Sequence, residues 1–89
     1  MENCPLPHQE WPQRVPLKVL GRIGELHPEM IAATIRDRLG PQGPDEGTSS
    51  SNCKGPFISY TFWVTLPDAD AEAPLREALT RLPGYVMQL

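Results

Sequence analysis

The sequence predicts a single α+β domain with the element order βαββαβ, and three observations carry that reading. Residues 58–66 alternate apolar and polar side chains along their whole length, the period of a strand with one face buried. Two other segments, one opening at Pro28 and one near Asp68, repeat apolar residues at helical spacing and run into a Gly-Pro or Pro-Gly stop. Short apolar runs lie ahead of the first helix and behind the second. At 89 residues the chain has room for one domain with a thin core. Its 11 prolines and 7 glycines punctuate it too often for a long coiled coil, a solenoid or a large α/β barrel.

In chain order, residues 1–14 hold three prolines and no periodicity, and they read as an irregular arm ahead of a domain spanning 15–89. Trp11-Pro12 is the arm's candidate anchor, a large ring followed by a fixed φ. The run Pro16-Leu17-Lys18-Val19-Leu20-Gly21 reads as the first strand, with Leu17 and Val19 on one face and Lys18 and Leu20 on the other. The first helix is expected from Pro28 to Leu39. His27 stands at the N-cap and Pro28 at N1, where its missing N–H would be unpaired anyway. Leu26 and Ile31 are placed as a hydrophobic staple, and Met30, Ile31, Ile35 and Leu39 form the apolar stripe. Gly40-Pro41 closes the helix.

Residues 41–53 have the composition of a loop, yet a Lys54-Gly55-Pro56 turn lets part of residues 46–52 fold back as a polar edge strand. In the strand that follows, Ile58, Tyr60, Phe62, Val64 and Leu66 face one way and Ser59, Thr61, Trp63 and Thr65 the other. Asp68 or Asp70 caps the second helix, Glu72 suits its positive N-terminal end, and Pro74 is tolerated in its first turn. Leu75, Ala78, Leu79 and Leu82 supply the stripe before Pro83-Gly84 ends it, and residues 85–89 form a last short strand. Right-handed crossovers put both helices on one face of a four-stranded antiparallel sheet, the ferredoxin-like arrangement. The opposite face is then bare and carries Lys18, Leu20, Thr61, Trp63 and Thr65.

The net charge of −3 and the absence of any long apolar run exclude whole classes of function. No stretch approaches the ~18 apolar residues of a membrane-spanning helix. The basic surplus that supplies most nucleic-acid affinity is missing, so no nucleic-acid partner is expected. Met1-Glu2-Asn3-Cys4 has neither the basic nor the apolar region of a signal peptide, so the chain is expected to stay in the cytoplasm. Cys4 and Cys53 form no C-x-x-C pair and are expected to stay reduced there.

Several segments together resemble the YbeD-like family of small bacterial proteins, which is related to ACT domains. Trp11-Pro12 stands where that family has an aromatic-proline pair, and residues 16–21 match its P-x-K-V-x-G strand. Lys54-Gly55-Pro56-Phe57-Ile58-Ser59 is similar to its K-G-x-Y-x-S segment, with Phe57 for the usual Tyr. The leucine-striped helix leading to a valine-methionine strand and an apolar last residue also fits. The resemblance implies a cytoplasmic accessory or regulatory protein, linked in some relatives with lipoate metabolism, with no established catalytic residues to carry over.

Four segments or residues admit a sharper reading beside a plainer one. Residues 54–61 invite comparison with the RNA-recognition octamer, but its base-stacking positions hold Pro56, Ile58 and Thr61, none with a π-face. Gly21-Arg22-Ile23-Gly24 lies where acylphosphatase, another ferredoxin-like protein, builds its phosphate cradle; the plainer reading is a surface turn. Cys4, His8, His27 and Cys53 are potential zinc ligands scattered without a convincing set, so no metal or cofactor is expected. Trp63 would waste a large apolar area in water, so either the N-terminal arm covers it or a partner or second subunit does. No nucleophile-base pair or carboxylate pair stands out. The expectation is therefore a non-enzymatic regulatory or adaptor module, a monomer or weak homodimer, binding a protein or small ligand through its bare sheet face or a weak strand edge, with Trp63, Leu20 and Lys18 on the face and Arg22 in the loop after the first strand. The alternative is a small-anion-handling enzyme built on the loop after the first strand.

Overall fold

The computed structural model describes residues 10–41 and 49–89. Its elements are β1 (Gln13–Arg22), α1 (Pro28–Leu39), β2 (Ser49–Lys54), β3 (Phe57–Leu66), a short 3-10 turn (Ala69–Ala71), α2 (Glu72–Leu79) and β4 (Tyr85–Gln88). The strands form one antiparallel sheet in the order β2-β3-β1-β4, so the fold is ferredoxin-like, as the sequence predicts. Leu17 and Val19 of β1 and Phe62, Val64 and Leu66 of β3 are buried with Leu26, with Ile31 and Ile35 of α1 and with Leu75 and Leu79 of α2. One core thus lies between the sheet and both helices, and Trp11 packs against it.

β1 begins at Gln13, inside the segment read as an arm and three residues before the expected start. Pro16 sits in its interior. The Lys18 carbonyl accepts from the Leu89 N–H, so the backbone groups of residues of the same parity face the β4 side. β4 pairs only with residues from Val19 to Gly21, which leaves no strand beside Pro16 on that side among the described residues. Its missing N–H therefore breaks no ladder bond, and the strand runs through it.

α1 has the expected bounds, and Leu26 and Ile31 are both buried at the staple positions. Two details differ. His27 adopts the extended N-cap conformation and its carbonyl accepts from the Met30 N–H at 3.1 Å, but its side chain makes no cap bond. Met30, expected in the apolar stripe, is exposed, because Ile31 and Ile35 already define the buried line. At the other end Gly40, at φ +78°, donates to the Arg36 carbonyl at 2.8 Å.

β2 occupies 49–54; the rest of the expected range, 46–48, lies outside the described residues. Lys54 pairs with Phe57 across a two-residue turn, and Gly55 at φ +61° supplies the first position of a II′-type hairpin. Asp68 accepts from the Asp70 N–H at 3.0 Å and opens the 3-10 turn that leads into α2. α2 ends at Leu79, short of the proline expected to stop it. Thr80, Arg81 and Leu82 donate to the carbonyls of Glu77, Ala78 and Leu79. These i→i−3 bonds tighten the last turn and bring Leu82 onto the core before Pro83 removes the next donor.

Candidate functional site: the open face of the sheet

The sheet's second face has no helix against it among the described residues. The β1–β3 register sets Trp63 opposite Pro16, Thr61 opposite Lys18, Ser59 opposite Leu20 and Phe57 opposite Arg22. β2 adds Ser50, Asn52 and Lys54 to these rows, and β4 adds Met87 beside Leu20. The register of β4 shifts between Leu20 and Gly21, which pairs with Tyr85 and leaves Val86 unmatched. Leu89 extends the edge by donating its N–H to the Lys18 carbonyl at 3.0 Å.

Trp63 is 44% exposed, the only exposed aromatic side chain among the described residues. Trp11 does not cover it, being packed on the helix-side core instead, and residues 1–9 of the arm lie outside the described residues. What does reach Trp63 is Arg14, whose guanidinium carbon stands 5.2 Å from the ring centroid. This contact fixes one side of the indole and contributes about 0.5–1 kcal/mol at an exposed site.

The structure places Trp63 and Leu20 on the same face, as expected, but not in one patch. Four residues separate their rows along β1, about 13 Å at 3.3 Å per residue. Lys18 and Thr61 lie between. Leu20 instead adjoins Met87, which is 43% exposed, so the face carries two apolar points with a cation between them. Sequence reasoning missed Met87 as part of this face, because a bulge in a four-residue strand leaves no periodic signal. Phe57 was also missed; its placement opposite Arg22 follows only from the hairpin register. Ser59, in the Leu20 row, is 7% exposed and its hydroxyl donates to the Asn52 carbonyl at 3.4 Å, so it is closed to a ligand.

Arg22 ends β1 on this face, and four N–H groups at and after it, those of Arg22, Ile23, Glu25 and Leu26, are bonded within the protein. The Arg22 N–H donates to the Gly84 carbonyl and the Ile23 N–H to the Pro56 carbonyl, both at 3.0 Å. Glu25 and Leu26 both donate back to the Arg22 carbonyl. These bonds tie the loop to the β2–β3 turn and to the turn before β4. The packing is close: a Cβ on Gly21 would stand 2.5 Å from Leu26 Cδ2 and 2.7 Å from the Gly84 oxygen. Of the base-stacking positions in the RNA octamer, Pro56 lies in the turn and Thr61 on the open face, while Ile58 shares the face of Gly21.

Cys53 and His27 are exposed, Cys4 and His8 lie outside the described residues, and no cluster of three potential metal ligands occurs among the described ones. No helix among the described residues is long and apolar enough to cross a membrane. Compared with family models, with curated proteins and with solved structures, the chain matches none.

Proposed function

We propose that this chain is a non-enzymatic regulatory or adaptor module that works in the cytoplasm by binding a partner on the open face of its sheet. The observation that carries the reading is Trp63: a large ring held by Arg14 on the face that no helix covers. Aromatic anchors of this kind dominate interfaces, while smaller neighbours such as Thr61 and Thr65 leave the ring accessible. The resemblance to YbeD-like proteins supports the same reading, since it implies an accessory or regulatory protein with no catalytic residues to carry over. The loop after β1 favours the small-anion enzyme less, because the N–H groups of Arg22, Ile23, Glu25 and Leu26 are bonded within the protein.

The test is cross-linking from position 63 itself. With a photoreactive residue at Trp63, a discrete adduct is expected, and the same residue at Arg38 on α1 should give none. Equal labelling from both positions, or none from 63, would remove the reading.

A further inference from the structure

Although the chain is acidic overall, its charge is divided by face. Lys18, Arg22 and Lys54 stand on the open face, none with an ion pair among the described residues, and Arg14 leans on Trp63 there. No Asp or Glu lies in any of the four strands. Glu25, Glu29 and Asp37 lie on the β1–α1 loop and α1; Asp68, Asp70, Glu72 and Glu77 lie at and along α2; Glu10 precedes β1. Four of the eight basic residues thus lie on one face of strands that carry no acidic residue, while the helix layer holds most of the acids among the described residues.

Resting on the reading that the open face is the docking surface, we propose that its partner is an acidic, extended segment of another protein, with apolar side chains spaced to meet Trp63 and the Leu20–Met87 pair. Carboxylates between those apolar residues would meet Lys18, and flanking ones Arg22 and Lys54. The spacing follows from the sheet: about 13 Å corresponds to four residues of extended chain. Charge complementarity of this kind steers encounter and rejects wrong partners. A second copy of the chain is disfavoured, since two such faces would oppose cation to cation. Nucleic acid fits less well, because stacking needs several open π-faces. Here one side of the exposed indole is under Arg14, and Phe57, the other aromatic residue on this face, is only partly exposed.

Fluorescence anisotropy of labelled peptides with the wild-type protein tests this. The probes are about twelve residues long, with Leu at every fourth position and Glu, Gln or Lys between, beside an oligothymidylate of similar length. The Glu peptide should bind, and raising salt from about 50 to about 300 mM should weaken it severalfold. Lys18→Glu with Arg22→Glu should lower its affinity at least about tenfold, whereas Arg38→Glu with Arg81→Glu, the same charge change on the helices, should cost under about twofold. Binding of the Lys peptide or the oligonucleotide as tight as that of the Glu peptide overturns the proposal, as does equal loss from both variants or no binding at all. Should the face variant fail to fold, the salt response and the peptide ranking decide by themselves. Equal binding of Glu and Gln peptides, lost in Trp63→Ala, would sink the acidic partner and leave the docking face standing.

Discussion

The two faces of this sheet are built from alternate residues of the same two central strands, yet they follow different rules. On the helix side, Leu17, Val19, Phe62 and Val64 are nearly or wholly inaccessible and meet both helices. On the open side their immediate neighbours Lys18, Leu20, Thr61 and Trp63 are all at least partly exposed. The first set is apolar throughout, and its value lies in close packing. The second mixes cations, hydroxyls and one large ring, a composition that excludes water poorly but discriminates among partners. Stability and recognition are thereby separated by a single step along the chain, so a change at one residue should spare the property held by the next.

The largest effect should come where the connections converge beside the core. Gly84 sits at φ +76°, and a Cβ there would stand 2.6 Å from Glu25 Cβ and 2.8 Å from the Leu26 nitrogen. Gly84→Ala combines left-handed strain with overpacking against backbone, and about 4 kcal/mol is expected from the two together. Loss of a cooperative melt would show it; a melt near that of the wild type would mean the turn can move away from the β1–α1 loop. Next comes the helix-facing side. Phe62→Ala should cost roughly 3–5 kcal/mol through the cavity it leaves, read by urea denaturation.

A smaller loss is expected where β4 is fastened to α2. The Gln88 amide nitrogen donates to the Arg76 carbonyl at 2.8 Å and to the Tyr85 hydroxyl at 3.3 Å, and its oxygen accepts from Arg76 at 3.1 Å. Gln88→Ala should therefore cost about 1–2 kcal/mol and speed amide exchange along the short β4 edge. A value near zero would mean that β4 is held by backbone pairing alone. Smallest of all is the exposed Arg81–Glu77 pair at 3.1 Å, whose side chains are more than half accessible. Arg81→Ala should change stability by less than about 0.5 kcal/mol. A larger loss would show that the helix layer's charges matter to folding more than the division between the faces allows.

Where local pattern and tertiary packing agree, the chain is legible from its residues. The alternation in β3 and the Pro28 and Gly40 boundaries of α1 are of this kind. Three features escaped because each is decided by a neighbour in space. Pro16 stays inside β1 because β4 is too short to reach it. α2 stops at Leu79 because its last turn tightens to set Leu82 on the core. Met30 points outward although its type suits the stripe. For the candidate site, Trp63, Leu20 and Lys18 could be assigned to the open face from period-two alternation alone, whereas Arg22, expected in the loop, joins that face because β1 runs one residue further. The 13 Å gap between its apolar points and the contribution of Met87 depend on register, and the segregation of charge is invisible in a net value of −3.

Thermal melts of Trp63→Ala and Phe62→Ala, side by side, test the separation of the two faces most directly. Trp63→Ala gives up the Arg14 contact and a half-exposed ring, so it should cost under about 1.5 kcal/mol and lower Tm by no more than about 10 °C. Phe62→Ala, one residue away, should lower Tm by about 15 °C or more, or abolish the transition. A Trp63→Ala loss equal to or greater than that of Phe62→Ala would contradict the account. The ring would then belong to the core, and the open face would have no anchor to offer a partner.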